Sequence, residues 1–164
     1  MAGLRITLWS ATLIFVFDQI TKWIVVQFLD LKNIWFLPVW DPFLTLRMAW
    51  NKGINFGMFA DFDLRWWLTG LSIAISLWIL WWMYREAPRA VTQVFAGFVV
   101  GGALGNSVDR VTYGAVADFL NMSCCGLENP WSFNVADIAI FAGAGFRVRV
   151  ASSIIASARR IAPW

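Results

Sequence analysis

The sequence predicts an all-α membrane protein: four transmembrane helices, with a small extracytoplasmic β-structure (a cradle) and a short surface helix between helices 1 and 2. Three observations lead there. Of 164 residues, 60% are hydrophobic and only 14% charged, where a soluble domain has about half and about a quarter. Apolar runs of bilayer length recur, a span needing about 20 residues at roughly 1.5 Å rise each. A Trp-rich segment of β-forming residues lies between the first two. At this length a single integral membrane domain, residues 1–164, is expected.

The first span covers about residues 6–28. Its apolar run is longer than a signal-peptide core of about 7–15 residues, and no A-x-A-like site follows, so it reads as a retained anchor. The segment Phe43–Trp50 is rich in β-forming types, with Pro38 and Pro42 as punctuation before it. Trp35, Trp40 and Trp50 suit the headgroup layer. The second span, about 66–84, is closed by Arg85-Glu86 and Pro88, and the third, about 91–108, by Asp109-Arg110. A fourth, about 133–150, opens near Phe133 and is apolar only to Phe146. Arg147 and Arg149 then intervene, with side chains long enough to snorkel to the interface.

Charge orients these spans. The N-terminus, the loop with Arg85 and Arg89, and the tail hold seven Lys and Arg, against five on the opposite side, which also carries seven acids. The positive-inside rule then puts both termini in the cytoplasm. The connections at about 29–65 and 109–132 face outward.

Composition also removes chemistries. The chain has no His, which excludes Ser-His-Asp and Cys-His nucleophiles and imidazole proton shuttles. Cys124 and Cys125 are adjacent, so neither a disulfide framework nor a spaced Cys zinc motif is available. The net charge of +3 comes from scattered residues, not the clustered basic face that nucleic acid requires.

Ionisable groups at membrane depth cost about 2.5–3.5 kcal/mol each and so mark function or structure. Asp18 and Lys22, at i and i+4, read as a structural ion pair. Gly97, Gly101 and Gly105 form a small-residue stripe that admits a close helix. Asn106, Asp109 and Arg110 follow it. Asn134 and Asp137 have the spacing of a helix cap, and Asp118 sits in a short apolar run. Asp109, Asp118 and Asp137 are thus candidate acids near the outer interface. Two adjacent carboxylates share one proton, so one can activate water while the other protonates a carbonyl. Glycosidases use carboxylate pairs too, and residue spacing leaves open which two acids pair and on what substrate.

Several blocks in series carry a resemblance: Asp18-x-x-x-Lys22, Asn51-Lys52-Gly53-Ile54-Asn55-Phe56-Gly57, Gly101-Gly102-Ala103-Leu104-Gly105-Asn106-x-x-Asp109-Arg110, Gly114-x-Val116-x-Asp118-Phe119 and Phe133-Asn134-x-Ala136-Asp137. Together these resemble bacterial lipoprotein signal peptidase (signal peptidase II), from about residue 13 to 142. The resemblance implies a membrane aspartic endopeptidase of the bacterial cytoplasmic (inner) membrane, its active site near the extracytoplasmic face. Its substrates are prolipoproteins, cut just before a Cys carrying a diacylglyceryl group. By motif, the catalytic aspartates fall on Asp118 and Asp137. Asn51, Gly53, Asn106, Asp109, Arg110 and Asn134 match positions that line or brace the site, and Asp18 and Lys22 a supporting pair. Globomycin-type cyclic peptides are implied inhibitors, and neither metal nor cofactor is required. Because Asp137 opens a helix, the dipole there favours its ionised form, leaving Asp118 to hold the shared proton. Two other classes compete: a small transporter or channel, suggested by Asp18, Lys22 and Arg110, and a non-catalytic scaffold, suggested by the glycine stripe. Four short spans without an inverted repeat, and polar groups gathered at one interface, favour the peptidase.

Overall fold

The computed structural model describes residues 2–53, 64–126 and 128–146. Helix α1 (Ala2–Trp23) runs on through a π-helical turn, Ile24–Phe28. The short helix α2 (Leu31–Ile34) follows, then strands β1 (Phe36–Trp40) and β2 (Leu44–Asn51). Helices α3 (Arg65–Glu86) and α4 (Ala90–Tyr113) come next, then strand β3 (Val116–Asn121) and helix α5 (Val135–Phe146). Leu4–Phe28, α3 and α4 are each long and apolar enough to cross a membrane. From Val135 to Phe146, α5 rises only about 18 Å. The remainder of the expected fourth span, including Arg147 and Arg149, lies outside the described residues.

Helix α4 is the inner helix. Buried side chains line it from Gln93 to Asp109, whereas α3 buries only Thr69, Ser76 and Met83 and turns Trp66, Trp67, Trp78 and Trp81 outward. The glycine stripe is what brings α4 close to α1. A Cβ on Gly105 would lie 2.5 Å from Asp18 Oδ2, while one on Gly102 would lie 2.6 Å from the Ala136 carbonyl oxygen of α5. Glycine therefore admits neighbours on two sides of one helix.

Three expectations need correction. Helix α4 does not stop at Asp109-Arg110; it continues to Tyr113 and ends on Gly114, whose φ of 75° is a left-handed cap. The reason is that Asp109 does not meet water but is buried and paired with Lys22. Pro38 does not stop the β-structure but lies within β1. That strand is an edge of the sheet, where a missing N–H is tolerated. The β-structure itself is larger than residues 43–50. It is a three-stranded antiparallel sheet in the order β1-β2-β3, and its third strand comes from the other connection and carries Asp118.

The sheet sits at the end of the bundle where α4 finishes and α5 begins. One face is apolar: Leu46, Met48, Ala117 and Phe119 pack on Val25, Val26 and Leu31 of the α1–α2 corner. Alternation along β3 then puts Asp118 on the opposite face from Ala117 and Phe119. Register does the rest, pairing Ala49 with Asp118 and Asn51 with Val116, so that Asn51 reaches Asp118 across the ladder.

Candidate active site

Asp118 and Asp137 arrive on different elements and meet around one asparagine. Asp118, 4% exposed, projects from β3. Its Oδ2 accepts from Asn51 Nδ2 at 3.1 Å and its Oδ1 from Asn134 Nδ2 at 2.7 Å. Asn134, fully buried, is the N-cap of α5. Its Oδ1 accepts the Asp137 backbone N–H at 2.9 Å, and its own N–H donates to Asp137 Oδ2 at 3.2 Å. This is a reciprocal capping box. The same cap therefore starts the helix and places both carboxylates.

The other Asp137 oxygen, Oδ1, accepts from Asn106 Nδ2 at 2.9 Å. Asn106 Oδ1 in turn accepts from Lys22 Nζ at 3.0 Å and Asn134 Nδ2 at 3.1 Å. Three asparagines from β2, α4 and the start of α5 thus surround the acid pair with N–H donors. Asn51 is itself oriented by Gly53, whose N–H donates to Asn51 Oδ1 at 2.9 Å. Gly53 holds φ at 104°, a conformation that favours glycine. Residues 54–57 of that motif lie outside the described residues.

Behind the pair is a buried ionic centre. Lys22 Nζ lies 2.8 Å from Asp18 Oδ2 and 2.7 Å from Asp109 Oδ2. Asp109 therefore belongs with the supporting pair and not with the acids facing the site. Arg110, half-buried, donates from NH1 to the Asn106 carbonyl oxygen at 3.4 Å, and its charge acts on Asp109, Asp137 and Asp118.

Burial pushes the Asp118 carboxyl up to about 7, reinforced by the Asp137 charge. The N–H bonds from Asn51 and Asn134 and the Lys22 charge oppose that rise without cancelling it. One carboxyl of the pair is thereby set to carry a proton near neutral pH. Among the described residues, no group of three or more His, Cys, Asp or Glu could hold a metal ion. Cys124 and Cys125 are joined as a disulfide in the connection between β3 and α5.

Sequence reasoning missed two parts of this arrangement. One is Gln19, whose Nε2 contacts Asp18 Oδ2 (3.2 Å), the Gly105 carbonyl (3.3 Å) and Asp109 Oδ1 (3.4 Å). The other is the Lys22–Asp109 pair, for which a signal existed. Asp109 continues the four-residue spacing of Gly97, Gly101 and Gly105, so the stripe that admits α1 also turns Asp109 toward it.

Residues 10–152 match the family model described as signal peptidase (SPase) II. The chain belongs to the signal peptidase II family. Lipoprotein signal peptidase of Alteromonas mediterranea is 36% identical over 151 residues, which cover 89% of this chain and 79% of that protein. The Syntrophotalea carbinolica protein of the same name is 37% identical, covering 88% and 89%. That of Caulobacter vibrioides is 39% identical, covering 78% and 75%. A bacterial membrane enzyme solved at 1.9 Å superposes with a TM-score of 0.71 at 25% identity, over 88% of this chain and 90% of its own. A second, solved at 2.3 Å, shares the fold with a TM-score of 0.75 at 23% identity, over 96% and 92%. As a signal peptidase II, the chain is a peptidase and hence a hydrolase. The transporter and scaffold readings give way to it.

Proposed function

We propose that this signal peptidase II removes the signal peptide from prolipoproteins just before a diacylglyceryl-modified Cys, with Asp118 and Asp137 as its catalytic pair. The observation that carries the reading is the convergence of both carboxylates on Asn134, one across its side-chain N–H and the other across its cap. Asp137, ionised, withdraws a proton from water as the water oxygen attacks the scissile carbonyl carbon. Asp118, protonated, donates to the carbonyl oxygen. The tetrahedral diol then collapses, the C–N bond breaks, the leaving amine takes the proton held by Asp137, and a hydroxyl proton returns to Asp118. One water is consumed and both carboxyls regain their starting states.

The surroundings fit a lipid-bound substrate. The acid pair lies at the end of the bundle, beside the sheet, so the diacylglyceryl chains can stay among lipid while the peptide bond reaches the acids. In this reading both termini are cytoplasmic, and the site opens at the extracytoplasmic face of the bacterial inner membrane. The whole chain forms one membrane domain. Asn51, Gly53, Asn106, Arg110 and Asn134 brace or line the cleavage site, and globomycin-type cyclic peptides occupy it.

The test is cleavage of a lipidated prolipoprotein by the purified protein, with and without globomycin. Cleavage before the lipidated Cys, blocked by globomycin and abolished in Asp118→Asn and Asp137→Asn, is expected. Cleavage that survives either substitution would remove the aspartate pair from the mechanism.

A further inference from the structure

The ionic centre behind the acid pair does more than neutralise charge. Lys22, Asp18 and Asp109 are 3%, 0% and 1% exposed, so two carboxylates share one ammonium in a dry environment. Such a cluster needs further donors. Besides Gln19 Nε2, which reaches Asp18 Oδ2 at 3.2 Å and Asp109 Oδ1 at 3.4 Å, those donors are two backbone amides. Asp18 Oδ1 accepts the N–H of Ala136 at 2.9 Å, and Asp109 Oδ2 accepts the N–H of Ala117 at 3.1 Å. Ala136 immediately precedes Asp137, and Ala117 immediately precedes Asp118.

Lys22 ties the two contacts together. Its three N–H bonds go to Asp18 Oδ2, Asp109 Oδ2 and Asn106 Oδ1, which exhausts an ammonium. An amide whose oxygen faces Lys22 must turn its nitrogen away, and that nitrogen is the one donating to Asp137 Oδ1. Backbone register and amide orientation at the site therefore trace back to one buried centre.

We propose that Lys22, Asp18 and Asp109 form a positioning device, in which each carboxylate registers the backbone one residue before one of the two reacting aspartates and Lys22 locks the two registrations to each other. It rests on the assignment of Asp118 and Asp137 as the catalytic pair. None of the three touches substrate; they act through Ala117, Ala136 and Asn106.

The atoms predict an asymmetry. Asp109 uses a single oxygen for both Lys22 and the Ala117 N–H, so Asp109→Asn keeps both contacts through its one carbonyl oxygen. Asp18 uses Oδ2 for Lys22 and Oδ1 for Ala136, so Asp18→Asn must surrender one of them. A reacting group displaced by about 1 Å can lose on the order of 100-fold in rate.

The experiment measures kcat and KM on a lipidated prolipoprotein for Asp18→Asn, Asp18→Ala, Asp109→Asn and Asp109→Ala, with hydrogen exchange of the segments holding Ala117 and Ala136. Asp109→Asn is expected to keep at least about tenfold more kcat than Asp18→Asn, with KM within about threefold of the parent. Asp109→Ala is expected to open the Ala117 amide while Ala136 stays protected, and Asp18→Ala to do the reverse. Should the alanine variants not fold, the unequal loss in the two asparagine variants remains the test. Equal losses in both, a rise in KM at constant kcat, or exchange increasing in both segments together would overturn the proposal. If the unsubstituted protein does not cut the lipidated substrate, the peptidase assignment falls, and the exchange pattern still decides the registration.

Discussion

Replacing Asn51 by Leu should move the alkaline limb of activity upward by about one pH unit. Asn51 Nδ2 donates to Asp118 Oδ2 at 3.1 Å, and that bond favours the ionised carboxylate, opposing the burial that drives Asp118 to about 7. Leu has comparable bulk, so water remains excluded while the donor is lost. A hydrogen bond to a charged group is worth about 1.5–3 kcal/mol, and about 1.4 kcal/mol corresponds to one pH unit. Asn51 is only half-buried and the bond is not short, so the lower end applies. In the mechanism above, Asp118 must be protonated when the carbonyl is attacked. Activity therefore falls as pH rises through about 7 in the parent and, on this reasoning, through about 8 in the variant. The assay is kcat/KM against pH, which reports groups of the free enzyme. A limb that stays in place, or moves to lower pH, would refute the role of this bond.

Other outcomes follow from the same geometry. Asp118 has a folded-state value above its ordinary 3.8, so folding takes up a proton between pH 3.8 and about 7 and stability falls as pH rises through that window. Asp118→Asn should then outlast the parent on thermal unfolding at pH 8, by on the order of 2–4 kcal/mol, with the gap shrinking toward pH 4; a constant gap would contradict it. Gly105→Ala puts a Cβ 2.5 Å from Asp18 Oδ2 and should destabilise by about 1–3 kcal/mol in detergent. Gly145→Ala, whose Cβ meets nothing within 4 Å among the described residues, serves as the comparison expected to lose no stability. Asn134→Ala removes the cap of α5, worth about 1 kcal/mol, together with the 2.7 Å donor to Asp118. Its loss of kcat should exceed that of Asn51→Leu, measured side by side on one substrate.

The parts of this structure that were legible in the sequence are those set by local physics. Apolar runs gave the three long helices, and the Asn134-Val135-Ala136-Asp137 pattern gave a cap that is also a contact to the acids. The parts that were not legible depend on partners far along the chain. Asp109-Arg110 looks like a helix end because two adjacent charges normally meet water. Lys22, 87 positions away in sequence, removes that reason by pairing with Asp109. Likewise Val116–Asn121 is a strand because β2 offers it a ladder, which residues 116–121 alone do not announce. Pro38 misled in the opposite sense, since its cost in a strand depends on which side has a neighbour.

The choice of asparagine around the pair has a consequence for how the reaction responds to pH. Among the described residues, the side chains bonding directly to Asp118 and Asp137 are Asn51, Asn106 and Asn134, and the remaining contact is a backbone N–H. None of these groups gains or loses a proton near neutrality, and a chain without His holds no imidazole to do so. Amides can therefore hold a carboxylate and its protonated partner without joining the titration. Their orientation must then be set from elsewhere, because an amide presents a donor or an acceptor according to which way it is turned. Lys22 has donors only, so it fixes Asn106, and Asn106 and the α5 cap together fix Asn134. The cation that settles the polarity of the site thus sits one layer behind it, where it can orient the acid pair without neutralising it by direct contact.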